Sequence, residues 1–561
     1  MENQRLFLFI GLSIIVLLLW QAWEKDQHPA LLQTTAIATP APGTAGSEHA
    51  RDNAASGVPQ APTGANSNAA GNSIVTTNSA SDNLTSGKRI DITTDLIHAQ
   101  IDTVGGDLRA LYLLAYPAEA GQPQVPFQLL NDKGSELFIA QSGLIGTNGA
   151  YPSHKSEYTA DQGQYTLAPG QEQLQVRLHW AQDGLVVDKV FTFHRHSYVI
   201  DVSYDIHNQG NQARDAYLYA QLLRTHTAPV GHFKNVAPSY LGGAIYTPEK
   251  KYQKISFKDM KETALQREVA GGWVAMIQHY FVGAWISGAQ NTDQFYSDVL
   301  SGEQYVIGYK NSTPLRLAAG QSGQISTRLY AGPKEQALLK SVAPGLVLTV
   351  DFGWLTVIAS PLYWLLEHIH AAVGNWGWSV ILLTVLLKLV FYPLSATSYR
   401  SMAHMRRLQP RMASLKERHG DDRQRMQQAM MELYKTEKIN PLGGCLPVVV
   451  QIPVFIALYW VLLETVELRQ APFALWIKDL SAPDPYFVLP ILMGITMFAQ
   501  QLLTPAAMDP LQRKVMLAMP LFFTVFFLFF PAGLVLYWTV NNVLSISQQW
   551  WITRSIEAKA K

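Results

Sequence analysis

The 561-residue sequence carries 43 Lys and Arg against 42 Asp and Glu, and a net charge of +1 points to no polyanionic or polycationic partner. Its single cysteine, Cys445, excludes disulfides, dithiol redox chemistry and cysteine-ligated zinc. No Walker A, GxSxG or HExxH pattern occurs, so nucleotide hydrolysis, serine esterase and zinc protease chemistry find no footing.

The first element is an apolar run from Leu6 to Trp20 behind Arg5, which fits a cleaved signal peptide or a retained anchor. No small-x-small cleavage site follows closely, and Trp20 and Trp23 suit a membrane interface, so residues 1–25 are expected to be a transmembrane anchor. Residues 26–89 are rich in Ala, Thr, Ser, Gly, Pro and Asn and nearly free of aromatics, a composition that cannot bury enough surface to fold. They read as a flexible linker.

Residues 90–335 carry short alternating segments, such as Leu174 to Trp180 and Val187 to Ile206, separated by Gly, Asn and Pro turns. No helical crossover pattern intervenes, so a large antiparallel all-β sandwich is expected, ending near Pro333. His194 and His196 alternate with Arg195, which on one strand would put both imidazoles on one face. Without a third ligand or a paired carboxylate, an exposed polar strand face is the simpler expectation.

Residues 345–561 are of a different kind. Asp351 to His370 reads as an amphipathic helix lying along a membrane surface, with Trp354, Ile358, Leu362 and Leu365 on one side and a kink at Pro361. Five apolar runs follow: Trp376 to Pro393, Leu446 to Leu463, Phe487 to Leu503, Val515 to Phe530 and Leu534 to Trp551. Between the first two of these, a helical hairpin is expected over 396–440, broken at His419-Gly420 with Asp421 or Asp422 available as a cap. Its Met402, Met405, Met412, Met426 and Met430 stand near helical spacing, which serves equally to glue the hairpin or to adapt to varied apolar partners.

Charge orients the chain. The hairpin carries Arg400, Arg406, Arg407, Arg411 and Lys416 among its cations, and the positive-inside rule places it in the cytoplasm with both termini. Residues 26–350 and the Glu464–Tyr486 loop fall outside. The expected fold class is thus mixed: a six-span α-helical membrane protein with a large external all-β domain and a cytoplasmic helical hairpin.

Lys388 stands out, because a cation inside a span costs on the order of 2.5–3.5 kcal/mol. It lies five residues before Pro393, close enough for the ammonium to snorkel to the cytoplasmic surface. Yet other polar groups share that depth. Thr384 is one turn deeper, Gln451 lies a turn and a half into the next run, Thr524 is midway along its run, and Asn541, Asn542, Ser545 and Gln549 recur along the last, near Trp538. Singly, each Thr, Asn or Ser suits ordinary interhelical hydrogen bonding. Together they suggest a cavity wet from the cytoplasm. No Asp or Glu interrupts any apolar run, which weighs against a proton-coupled solute transporter with an external ligand-binding β domain, the alternative reading.

Several segments carry a resemblance: Phe391-Tyr-Pro-Leu394, Met405-Arg-Arg-Leu-Gln-Pro410, Asn440-Pro-Leu-Gly-Gly-Cys-Leu-Pro447, Gln451-Ile-Pro-Val-Phe455, Val466-Glu-Leu-Arg-Gln-Ala-Pro-Phe-Ala-Leu-Trp476 and Gly533-Leu-Val-Leu-Tyr-Trp538. The chain resembles the YidC/Oxa/Alb family of membrane protein insertases, in its Gram-negative long form. The resemblance implies a periplasmic domain of β-supersandwich type, a hydrophilic groove open to cytoplasm and lipid, no enzymatic reaction and no cofactor or metal. It implies nascent integral membrane proteins, the Sec translocon and lipids as partners. By motif, Thr384, Lys388, Gln451, Phe455 and Trp538 fall in that groove. Relatives often have Arg where Lys388 stands, which removes bidentate recognition and keeps the charge. The stretch after Trp551 is short, so only weak ribosome contact is expected, and no specific nucleic acid. Because the linker separates the β domain from the first run, the insertion machinery is expected in the C-terminal part.

Overall fold

The structure is a computed structural model that describes residues 57–61, 84–134, 136–226, 239–419, 422–437, 446–503 and 510–558. The Leu6–Trp20 run, Cys445 and most of the 26–89 linker lie outside these residues. Residues 89–333 form an 18-stranded sheet assembly. Its pairings are antiparallel except one among the described strands, Arg89–Thr93 beside Gln164–Thr166. Alternation along the strands decides which side chains enter the core: in Val199–Asn208 every second residue from Ile200 to Asn208 is buried. The last strand ends at Pro333.

The His194/His196 expectation is corrected in one respect. The strand Leu185–His194 stops at His194, and His196 sits in a turn with φ of 54°. The two imidazoles then meet different carboxylates, His194 with Asp201 at 2.7 Å and His196 with Asp95 at 2.8 Å. They share no face and no site.

Beyond two short helices, α1 (Phe257–Glu262) and α2 (Gln336–Val342), the C-terminal part is helical. Its elements are α3 (Thr356–Val373), α4 (Trp376–Val390), α5 (Tyr392–His419), α6 (Arg423–Thr436), α7 (Leu446–Glu464), α8 (Val488–Leu503), α9 (Pro510–Phe527) and α10 (Ala532–Ala558). In α3 the buried face is Ala359, Leu362, Tyr363 and Leu366, whereas Trp354, Val357 and Trp364 are exposed. The expected stripe is therefore rotated: Leu362 points inward, and the adjoining Trp354 faces out. Asp422 caps α6, its side chain accepting from the N–H groups of Gln424 and Arg425.

Among the described residues no single helix is both long and apolar enough to cross a membrane. One pair passes together, Trp376–Val390 with Tyr392–Met405, bent by 66°. The break is local chemistry. Pro393 has no N–H to continue the helical ladder and disfavours helical geometry in the residue before it. The outward surface of these helices is nonetheless apolar: Leu389, Val390, Ile495, Leu502, Leu521, Phe522 and Trp551 are each more than half exposed. That inverts the usual arrangement of a protein surrounded by water.

The sheet domain is joined to the helices by buried polar contacts. Lys334, following the last strand, places its ammonium 3.1 Å from Glu464 at the end of α7, and both residues are almost fully buried. Ser239 donates to the same carboxylate at 2.6 Å, and His279 stands 3.9 Å away. Arg469 donates to the carbonyls of Pro117 and Ala118 at 2.7 and 3.1 Å. At its C-terminal end the domain is seated on the helical part.

Candidate functional site

The site begins in α4, whose Asn375 cap accepts from the Trp378 N–H. Thr384 and Lys388 follow one turn apart, and both are buried. Lys388 does not reach the surface: it is 7% exposed, and its Nζ donates to Ser545 Oγ of α10 at 2.7 Å. Ser545 Oγ donates in turn to the Asn541 carbonyl at 2.7 Å. Asn541 Oδ1 accepts from Gln451 Nε2 of α7 at 2.8 Å. A continuous polar line thus crosses α4, α10 and α7. Among the described residues no carboxylate pairs with Lys388, so its partner is a neutral hydroxyl.

The neighbouring Asn542 belongs to another contact. Successive residues of an α-helix point about 100° apart, so Asn541 and Asn542 cannot serve one neighbour. Asn542 Nδ2 donates to Thr496 Oγ1 of α8 at 3.2 Å, and Gln549 Nε2, two turns on, donates to the Leu503 carbonyl at 3.1 Å. Both hold α10 to α8. Thr496 escaped the sequence reading because a threonine in an apolar run carries no signal of its partner.

Two threonines stand apart from the line. Thr384 Oγ1 donates to the Val380 carbonyl at 2.6 Å and Thr524 Oγ1 to the Pro520 carbonyl at 2.7 Å, each within its own helix. Thr524 also fills the space over Gly494 of α8, where an added Cβ would fall 2.0 Å from its hydroxyl oxygen. Its place is in helix packing. Phe455 and Trp538 meet edge to face with centroids 4.5 Å apart, and Phe527 lies 5.2 Å from Trp538. In α10, Trp538 precedes Asn541 by about one turn, so this aromatic cluster closes the polar line on the side away from Ser545.

Chemically, among the described residues the arrangement offers a cation that no carboxylate pairs, the Gln451 and Asn541 amides and the Ser545 hydroxyl inside an apolar helical bundle. It can solvate polar or acidic groups; among the described residues no nucleophile with an adjoining base is assembled there. Residues 89–365 match the family described as YidC periplasmic domain, and residues 368–559 that described as 60Kd inner membrane protein. The chain is 52% identical over 564 residues to the membrane protein insertase YidC of Methylobacillus flagellatus, covering 100% of this chain and 98% of that one. It is 50% identical over 576 residues to the protein of the same name from Nitrosospira multiformis, with 100% and 98% covered. A crystal structure of an active YidC insertase with its first transmembrane domain resolved aligns with a TM-score of 0.37 at 18% identity, over 83% of this chain and 92% of that one.

Proposed function

We propose, from the premise that this chain belongs to the YidC family of membrane protein insertases, that the polar line from Lys388 through Ser545 and Asn541 to Gln451 receives the polar segment of a passenger on its way across the membrane. The protein is an inner-membrane insertase with a periplasmic domain, and it catalyses no bond-making or bond-breaking reaction. In hydrocarbon each unsatisfied backbone group costs several kcal/mol, so a polar segment halted midway meets a high barrier. Side-chain dipoles and one cation at that depth lower the barrier. Partitioning of the passenger's apolar residues into lipid supplies the driving force, and no nucleotide is required.

The membrane arrangement belongs to the same proposal. The Leu6–Trp20 run and the five apolar helices α4, α7, α8, α9 and α10 cross, with both termini and the α5–α6 hairpin in the cytoplasm. The exposed apolar side chains of α8, α9 and α10 support this reading, as does the positive charge of the hairpin. Thr384, Lys388, Gln451, Phe455, Thr524, Trp538, Asn541, Asn542 and Ser545 face or brace the groove. Passengers are nascent integral membrane proteins, received alone or with the Sec translocon, among membrane lipids; ribosome contact is weak. The observation that carries the proposal is the buried ammonium of Lys388 held by a hydroxyl and paired with no described carboxylate.

Accessibility tests it. Gln451 and Asn541 are only half-buried, so Gln451→Cys and Asn541→Cys in a Cys445→Ser background will react with a membrane-impermeant thiol reagent from the cytoplasmic side. Thr524→Cys, in the contact between α8 and α9, will react poorly. Equal labelling of the first two from the periplasmic side would indicate a through-pore and return the solute-transporter reading.

A further inference from the structure

The residues Gly57–Ala61 lie far from the first strand in sequence, yet they rest on the β domain in a defined pose. Val58 and Ala61 pack against Ile145, Tyr217 and Tyr219. Gln221 Nε2 donates to the Gly57 carbonyl at 3.2 Å, and Lys310 Nζ donates to the Gln60 carbonyl. Gly57 adopts a φ of 70°, and a Cβ there would lie 3.1 Å from Leu300 Cδ1, so this position wants glycine.

The receiving surface is built by strand register. Tyr217, Tyr219 and Gln221 alternate along Arg214–Thr225 and therefore share one face. Opposite them stand Ile145 and Gln141 on Phe138–Gly146 and Lys310 on Gln304–Asn311. Gln221 is 1% exposed, and its amide is oriented from beneath. Its Oε1 accepts from Tyr296 at 2.7 Å, while its Nε2 also donates to Gln141 Oε1 at 2.9 Å. The Gln141 amide is set by Asp107, which accepts from Gln141 Nε2 at 2.9 Å. A buried relay thus presents a fixed N–H donor at the floor, aimed at a backbone carbonyl.

We propose that this face is a peptide-binding groove for an extended, uncharged segment that begins with glycine and continues with small apolar residues and proline, and that its occupant is Gly57–Ala61 of the same chain. Two backbone carbonyls are bonded, at Gly57 and Gln60, and two small side chains fill the apolar wall between Ile145 and Tyr219. Proline at 59 favours the extended form and lowers the entropy lost on docking. The clasp shortens the covalent path from the first apolar run to the domain: Asp26 to Gly57 spans at most about 110 Å fully extended, roughly half the reach from Asp26 to Arg89. That consequence rests on the run being an anchor; the groove itself does not.

The test uses the full-length protein in detergent. In one variant Gly57–Ala61 is replaced by five serines, and a synthetic peptide of residues 54–64 is titrated to about 1 mM, the effective concentration a tethered segment experiences. The serine variant is expected to bind the peptide at least about 10-fold more tightly than the wild type, whose groove is already filled. A peptide carrying Val58→Asp is expected not to bind, and Lys310→Ala in the serine variant is expected to weaken binding. No gain over the wild type, or equal binding of the Val58→Asp peptide, overturns the proposal. Insertion activity is not read, so the outcome is independent of the insertase mechanism.

Discussion

Lys388→Glu will slow insertion of passengers with acidic N-terminal segments by roughly 10- to 100-fold, while Lys388→Arg will stay near the wild-type rate. The effect is electrostatic. The ammonium is buried between α4 and α10, its partner is the Ser545 hydroxyl, and among the described residues no carboxylate neutralises its charge. At intermediate dielectric, attraction to a carboxylate about 4 Å away is on the order of 4 kcal/mol before desolvation; about half survives, enough to favour a transient intermediate without trapping it. Glutamate at this position reverses the sign, and alanine removes the attraction. A passenger whose N-terminal acids are neutralised will depend less on residue 388, and Ser545→Ala will have a smaller effect because the charge remains. In vitro insertion of acidic-tailed, Sec-independent passengers into proteoliposomes decides the matter. Wild-type rates for both Lys388→Ala and Lys388→Glu would remove electrostatics from the mechanism.

The second large effect is on stability. Lys334→Met or Glu464→Leu alone will lower the unfolding temperature by about 10 °C, because breaking a buried pair from one side leaves an uncompensated charge at a cost of about 3–5 kcal/mol. The double variant will recover most of the loss, since a buried ion pair and a well-packed apolar pair are often of similar worth. His279 adds a pH dependence. Burial pushes its imidazole down to about 4, against the pull of Glu464, so at neutral pH the folded junction holds one cation and one anion. An unfolded histidine takes up its proton near pH 6.5, before the folded one does. The unfolded state therefore binds more protons between about pH 6.5 and 4, and stability falls as pH drops through that window. Thermal unfolding of His279→Gln across this range should show a flatter profile; an unchanged slope would place the pH dependence elsewhere.

The Lys334–Glu464 junction was not legible in the sequence. Its members stand 130 residues apart, and each alone reads as an ordinary charge near the end of an element. The Gly57–Ala61 clasp was hidden for a similar reason: composition averages over a stretch, and five residues with a place to rest do not change the average. Thr524 stands midway along its apolar run, yet position along a run says nothing about which helix a side chain faces. The split between Asn541 and Asn542 follows from helical geometry, but which neighbour takes which amide does not.

What the sequence determined by itself is whatever depends on local periodicity and on the solvent a segment prefers. Two-residue alternation specified an antiparallel β domain ending at Pro333, apolar runs specified where the C-terminal helices lie, and Asp422 signalled the start of α6. The absence of acids from the apolar run around Lys388 is likewise a local property that the sequence carries by itself. Tertiary structure alone decided the partners: Ser545 for Lys388, Gln451 for Asn541, Thr496 for Asn542 and Glu464 for Lys334. Periodicity chooses a face, and only packing brings two faces together; a hydrogen bond about 3 Å long between residues far apart in the chain is a fact about that packing.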